Sequence, residues 1–393
     1  MMRILYLAHR VPYPPNKGDK IRSFHEIRHL GRLHELHLLA FCDRREDLQY
    51  ENDLLQYCRT VQLIPLSRWV QKLRAAGAML AGRPWTLGYF SSRAMRLAVE
   101  QKLAENQFDM IFAYSSSMAP YVEPVKSVPK ILDFVDSDAG KWSQFAAATR
   151  APFNWIYGYE ARRLKEFEIR MIDTFDCCSF VSPRETEHLP LHRTSRKPFY
   201  IQNGIDLDFY DAPPRTTVSQ TIIFIGALDY FPNIDAVTYF ATEVFPIVRE
   251  KVAGTRFMIV GSRPGARVLR LARLPGVTVE GDVKDVRPFI AEARVSVAPL
   301  RISQGIQNKV LEALALGLPV VASTNAAAGL PSTDGLPLAI ARDTAAFAQS
   351  VCEFLSQPPL TAERIKTCRE QLRRHHDWST NLGVLENLVL ATR

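Results

Sequence analysis

The sequence is poor in the features that would settle its class at once. Its six cysteines (Cys42, Cys58, Cys177, Cys178, Cys352, Cys368) stand in no CxxC or Cys/His spacing, which argues against a zinc ribbon or a disulfide framework. Scattered free thiols suit a reducing compartment. No apolar run approaches the about 18 residues that a membrane-spanning helix needs. The opening stretch MMRILYLAHRVPYPP is interrupted too soon to read as a signal peptide. Low-complexity tracts, internal repeats and recognised nucleic-acid-binding motifs are all missing. Acidic residues are outnumbered, 41 Asp+Glu against 49 Lys+Arg, for a net charge of +8. That excess suits an anionic partner, whether nucleic acid, an acidic membrane face or a phosphorylated small molecule. The lack of a motif speaks against nucleic acid. The expected location is the cytoplasm.

What is present is a globular composition, 47% hydrophobic and 23% charged over 393 residues, long enough for two or three domains of roughly 150 residues each. Short apolar runs recur between longer segments of helical period. The first half holds Arg3–His9, Leu36–Cys42, Thr60–Leu66, Met110–Tyr114, Lys130–Val135, Cys177–Val181 and Phe199–Gln202. The second holds Thr221–Ile225, Arg256–Val260, Val277–Glu280, Val295–Pro299, Pro319–Ser323 and Leu338–Ala341. Most are continuous rather than alternating, the pattern of strands buried on both faces of a parallel sheet. Segments such as Ile234–Lys251 and Val310–Leu316 read as crossover helices. Two successive doubly wound α/β units are predicted. The break between them is expected in DLDFYDAPPRTTVSQ (Asp206–Gln220), which lacks a sustained apolar period. Domains are accordingly drawn at 1–207 and 216–371. The tail, 372–393, reads as a helix able to pack back on the first unit through Trp378, Leu382, Leu385, Leu388 and Val389.

The densest chemical signal is PLRISQGIQNKVLEALALGLPVVAS (Pro299–Ser323). A strand ends at Leu300, a polar loop carries Gly305, and a helix opens near Ile306. A helix N-terminus beside a glycine is an anion site. Lys309 and Glu312, three apart, share one helix face: Lys309 suits a phosphate, Glu312 a vicinal diol such as a ribose. The same pair on its own reads equally as a solvated Lys/Glu pair. Elsewhere, Asp136-Ser137-Asp138 follows a buried strand and is read three ways: metal–diphosphate ligand, acceptor-side group handling substrate or a proton, or helix N-cap. Asp133 lies within that strand. Arg68–Leu87 is a basic, aromatic-bearing amphipathic stretch, suited to an anionic membrane surface or to an ordinary surface helix. Arg150–Arg170 likewise mixes Trp155, Tyr157 and Tyr159 with Arg162, Arg163 and Lys165.

The 299–323 segment resembles the donor-site signature of group-one glycosyltransferases with the GT-B fold. That signature is Glu, seven residues, Glu, then Ala-Met-Ala-x-Gly-x-Pro-Val-Val. Here Glu312 is followed by Ala-Leu-Ala-Leu-Gly-Leu-Pro-Val-Val, while the first position is Gln304, which can hydrogen-bond a sugar hydroxyl but carries no charge. YPPNKGDKIR (Tyr13–Arg22) is similar to the family's Gly-rich loop, FVSPRETEHL (Phe180–Leu189) to its strand-to-helix turn, IQNGID (Ile201–Asp206) to its Val-x-Asn-Gly-Val-Asp segment and FIGALDYFPNIDAV (Phe224–Val237) to the start of its second domain. Ala227 stands where the family carries a basic residue. Gly281-Asp282-Val283 sits where its loop lines the nucleobase. FVDSDAGKW (Phe134–Trp142) looks like the sugar transferases found with bacterial exosortase and exopolysaccharide clusters.

The resemblance implies a GT-B fold, two Rossmann-like domains and a cleft joining Gly18 to Lys309 and Glu312. It implies a retaining, metal-independent hexosyltransferase using a UDP- or GDP-linked sugar, with no other cofactor. The acceptor would be a saccharide or lipid-diphosphate-linked saccharide in exopolysaccharide or cell-surface glycan synthesis, at the inner face of the plasma membrane. Lys309, with Asp136 and Asp138, would be catalytic. Donor contacts would come from Gly18, Asp19, Gly226, Asp282, Val283, Gln304, Gly305, Ile306, Gln307, Asn308, Lys309 and Glu312. Two other readings remain open: a nucleotide-sugar 2-epimerase, and a degenerate GT-B protein binding nucleotide sugar as a partner subunit.

Overall fold

Continuous apolar runs become the strands of two parallel sheets. A computed structural model describes the chain except residues 16–17, 211–218, 284, 304–306, 331–332, 334 and 393, with the backbone alone at Asp19. One unit is Met1–Asn203 with Trp378–Arg393, the other Gly204–Asp377. The first holds β1 (Arg3–Ala8), β2 (Glu35–Cys42), β3 (Thr60–Pro65), β4 (Met110–Tyr114), β5 (Lys130–Val135), β6 (Cys177–Phe180) and β7 (Phe199–Tyr200), in the order β3-β2-β1-β4-β5-β6-β7. The second holds β8 (Thr221–Ile225), β9 (Arg256–Gly261), β10 (Val277–Gly281), β11 (Val295–Ala298), β12 (Val320–Ser323) and β13 (Leu338–Ala341), in the order β10-β9-β8-β11-β12-β13. Parallel pairing needs crossover segments, and these place helices on both faces. That is why the runs do not alternate: β4 and β8 are buried at every position.

In the first unit each sheet face has its own core. Leu5, Phe41, Ile111, Leu132 and Phe180 pack against the helices Arg93–Glu105 and Phe153–Thr174 through Met95, Val99, Phe167 and Met171. On the other face Ile4, Tyr6, Leu38 and Phe112 meet the helices Gly18–Leu33 and Trp378–Ala391. Trp378, Leu382, Leu385, Leu388 and Val389 all lie in that core. The Trp378 ring stacks on His25 at 4.6 Å and 11°.

The chain leaves the first unit at Asn203 and re-enters it at Trp378, some residues from the low-period stretch read as a linker. Backbone ties account for the difference. The Ile205 amide donates to His376 O at 2.7 Å, and Arg369 donates to Leu207 O at 2.7 Å and Tyr210 O at 2.6 Å. Residues 204–210 are thereby fastened to the helix Ala362–His376. The tail is two helices, since Asp377 turns extended (φ −79°, ψ 130°). The segment read as one crossover helix, Ile234–Lys251, is interrupted by a π-turn at Phe240–Val244. Pro246 follows it at the head of the helix Phe245–Lys251; proline lacks an amide donor, so the ordinary i→i−4 ladder fails there.

A buried ionic cluster ties the first helix of this unit to its sheet. Arg22, fully buried, grips Asp133 on β5 twice (Nε–Oδ2 2.7 Å, Nη2–Oδ1 3.1 Å). It also donates to Ile201 O at 2.6 Å and Asn203 Oδ1 at 3.0 Å, and lies 3.0 Å from Glu26. Tyr6 donates to Glu26 Oε2 at 2.7 Å and Ser179 to Asp133 Oδ1 at 2.8 Å. Burial, reinforced by Asp133, pushes the Glu26 carboxyl well above its ordinary value. A buried cation is tolerable here because every oxygen around it is turned inward.

Candidate active site

In an open parallel sheet, ligands settle at the carboxyl ends of strands where the strand order reverses. In the second unit that point lies between β8 and β11. Gly226 follows β8, and Gly261 ends the adjacent β9. A Cβ at Gly261 would stand 1.7 Å from Gly226 O, so the two backbones touch where a side chain cannot fit. A Cβ at Gly226 would stand 2.8 Å from Asn233 Nδ2 and 3.2 Å from Lys309 Nζ. Lys309 rises from the helix Asn308–Ala315 and donates to Asn233 Oδ1 at 2.7 Å. Its ammonium lies 4.2 Å from the Phe224 ring centroid. Asn233 is oriented in turn by donating to Ala227 O at 2.9 Å. Ala227, lacking the family's basic side chain, thus contributes its carbonyl.

Desolvation pulls the Lys309 ammonium down to about 7, against the pull of Glu312. The cation has a ring face and a neutral amide, but no direct carboxylate partner among the described residues. A diphosphate would supply the missing charge. Glu312, one turn on, is pushed up by burial and held back by a hydrogen bond from Tyr210 and by Lys309. Burial, then Glu312, raises the Tyr210 phenol strongly, so the phenol remains a donor. At the head of the same helix, Asn308 Oδ1 is buried with no hydrogen-bond partner among the described residues, and Gln307 takes the N-cap position without a side-chain cap bond.

The remaining donor-side expectations divide. Gln304, Gly305 and Ile306 lie outside the described residues. The helix opens at Asn308, two residues beyond the expected start. Asp282 is left-handed (φ 53°) and exposed, and its Oδ1 accepts from the Arg263 amide at 2.8 Å. Val283 beside it is half-buried. Two arginines passed over in the sequence stand close by, each with an acid: Arg263 with Asp229 at 3.0 Å and Arg301 with Asp235. Of these three basic groups, Arg263 and Arg301 meet carboxylates and Lys309 a neutral amide.

The first unit has its own reversal point, between β1 and β4. Gly18 is the first residue of the helix Gly18–Leu33, and a Cβ there would meet nothing within 4 Å. Asp19 follows it in that helix. Beyond β4 and β5 the backbone is strained: Ser115 sits at φ 80° and the β-branched Val135 at φ 67°. The Val135 amide is steadied by Asp133 Oδ1 at 3.3 Å. Asp136 and Asp138 follow this kink. Burial lifts Asp136 to about 6, opposed by Lys141 and Arg22. Asp138 is also penalised by burial, yet Lys141 and the Ser116 hydroxyl at 2.6 Å hold it below its ordinary value. Adjacent carboxylates with pKa values driven apart divide naturally into a proton acceptor and a fixed anion. The N-cap of the helix Asp138–Ala148 is neither of them: Ser137 accepts from Gly140 N at 3.1 Å. Behind the pair, burial raises Glu168 to about 8, while it accepts from Ala139 N and Ser137 Oγ.

Asn233, Phe224, Tyr210, Ser116 and Glu168 were not singled out in the sequence. Asn233 and Phe224 had a signal, their place in the stretch that resembles the family's second-domain start.

Two doubly wound parallel-sheet units, with the Lys309 cation beside a glycine contact at the reversal point of the second, make up a fold of GT-B architecture. Residues 219–357, within the second unit, match the family described as glycosyl transferases group 1. No curated protein shows significant similarity to the chain. Among solved structures, S. aureus TarM, determined with UDP, fondaparinux and α-GlcNAc-glycerol, superposes with a TM-score of 0.68 at 10% identity, over 99% of each chain. Anabaena HepE with UDP gives 0.65 at 13% identity, over 99% of this chain and 100% of that one. The E. coli trehalose-6-phosphate protein bound with UDP-2-fluoroglucose gives 0.67 at 13% identity over 98% of each.

Proposed function

We propose that the protein moves a hexosyl group, with retention, from a UDP- or GDP-linked donor held by the second unit to a saccharide or lipid-diphosphate-linked acceptor held by the first. The products belong to exopolysaccharide or cell-surface glycan synthesis, made at the inner face of the plasma membrane to which the protein attaches peripherally. The observation that carries the reading is Lys309: a half-buried ammonium over Phe224, bound to Asn233 and beside a glycine where any side chain would intrude. UDP is favoured because the TarM, HepE and E. coli structures were each determined with UDP or a UDP sugar.

Chemically, the bond from the sugar's anomeric carbon to the diphosphate oxygen breaks, and negative charge grows on that oxygen. Lys309 and the N-terminus of its helix oppose the charge. Glu312 accepts hydrogen bonds from the ribose diol. The acceptor hydroxyl attacks the same face, its proton passing to the departing diphosphate, while Asp138, fixed by Ser116 and Lys141, orients the acceptor. Asp136 offers a second proton acceptor on that side. This scheme uses no metal ion. Calorimetry with UDP, GDP and their sugars, followed by assay of nucleoside diphosphate release with and without acceptor, tests it. Release that requires acceptor and survives excess EDTA is expected. Failure to bind any nucleotide, or EDTA inactivation rescued by Mn²⁺, sinks it.

A further inference from the structure

The first unit carries a feature that the transfer chemistry does not use. Along the helix Arg68–Leu80, Trp69, Leu73 and Leu80 are 77%, 75% and 89% exposed. At about 100° per residue they form one stripe, and the helix contains no acidic residue. Roughly 100° further round, Arg74, Gly77 and Ala78 of the same helix line a cavity of about 730 Å³. Its wall also carries Arg83, Arg93, Arg96, Arg163 and Arg170 against two carboxylates, Glu123 and Glu166. Those two already face Arg170 at 3.5 Å and Arg163 at 3.6 Å. Arg83, Arg93 and Arg96 show no acidic partner among the described residues.

The cavity is built before anything enters it. Gly88 lets the helix Trp85–Tyr89 press against the helix Arg68–Leu80, since a Cβ there would stand 2.5 Å from Ala78 Cβ. Tyr121 accepts from the Ser92 amide at 2.7 Å and donates to Phe90 O, pinning the turn that presents Arg93 and Arg96. A soluble anion would need the arginines but not the naked tryptophan and leucines beside them. A protein partner of ordinary composition would need the apolar stripe but not three guanidinium groups, Arg83, Arg93 and Arg96, with no acidic partner among the described residues. A bilayer with anionic headgroups needs both, at one boundary, and tryptophan favours that boundary.

We infer that the helix Arg68–Leu80 and the arginine-walled cavity beside it form a docking site for an anionic lipid bilayer, the stripe entering the interface and the cavity receiving lipid phosphates. This deepens the membrane attachment proposed above and is independent of the donor chemistry. The test is sedimentation of the full chain with phosphatidylglycerol-containing vesicles and with phosphatidylcholine alone, at fixed ionic strength. Binding to the anionic vesicles only is expected. Arg93→Ser with Arg96→Ser should lower the partition coefficient about 30-fold, from the usual attraction per basic residue at such a surface. Trp69→Ser with Leu73→Ser should lower it at least as far. Both double variants should keep the wild-type melting temperature and UDP affinity. Equal binding to both vesicles, or vesicle binding indifferent to either variant, overturns the inference. So does a pattern in which the arginines matter and the stripe does not, which would mark a soluble-anion site. A chain that binds UDP and serves a soluble acceptor but ignores vesicles would lose this site and keep the transfer reaction. Loss of UDP binding would instead strike at the transfer reading.

Discussion

Two basic side chains, one in each unit, sit on a helix that follows a strand at the reversal point of its sheet, and they are treated oppositely. Arg22 is sealed in by Asp133 twice over, by Glu26, and by two oxygens from 201–203. Lys309 has an amide oxygen and the face of a ring. Burial works against the charge of both. At Arg22 the carboxylates Asp133 and then Glu26 outweigh it, and the guanidinium is held protonated more firmly than usual. At Lys309 nothing outweighs it, and the ammonium falls to about 7. A saturated cation fastens a fold; an unsaturated one waits for a ligand.

The largest effect should come from opening the saturated cluster. Asp133→Ala leaves Arg22 buried without its main partner and should remove about 3–5 kcal/mol of stability in urea denaturation. Stability within 1 kcal/mol of wild type, on the order of an ordinary surface substitution, would show that water can enter and that the contrast is false. Lys309→Ala should lower kcat by roughly 10²–10³, the scale of one preorganised electrostatic contact, while Lys309→Met raises the melting temperature by removing a poorly solvated charge. Near-wild-type turnover would disconnect Lys309 from the chemistry. Glu312→Ala should raise the donor KM about 10- to 100-fold with little change in kcat, because its contact is remote from the breaking bond; Glu312→Gln should recover part of that loss. An equal fall in kcat would place Glu312 at the reacting centre instead.

The smallest effect is on pH dependence, and its sign follows from the direction of the Lys309 shift. Below about 7 the ammonium is charged in the empty site. Above that value nucleotide binding must take up a proton, so affinity should fall toward tenfold per pH unit. Lys309→Gln should flatten the slope. A wild-type profile already flat from pH 6 to about 9 would mean that another group screens the ammonium.

The fold class was legible because parallel strands buried on both faces need uninterrupted apolar runs, and such runs survive in a single sequence. Lys309 and Glu312 were legible for a related reason: three residues apart, just after a strand, they fall on one face of one helix. The groups packed around them were not. Asn233 lies 76 residues from Lys309, and an asparagine, a phenylalanine or a tyrosine carries no local mark of the cation or carboxylate it will meet. The Asp-Ser-Asp run shows the limit at closer range. Acidic residues before a helix suggest a cap, yet the serine between them is the cap. The boundary between the units was drawn from composition, whereas the Ile205 amide and the Arg369 guanidinium tie residues 204–210 to the second unit through bonds to backbone carbonyls that composition does not encode.

The helix Trp378–Ala391 sets the order in which the two units can mature. It supplies Trp378, Leu382, Leu385 and Val389 to a core otherwise built from the first 201 residues, so that face of the first sheet, covered in part by the helix Gly18–Leu33, is not closed until residues 378–389 are translated. All of residues 204–377 leave the ribosome earlier and can close on themselves. Synthesis therefore runs against the usual amino-to-carboxyl order of domain folding: the second unit can be finished first, and the unit begun first is completed last.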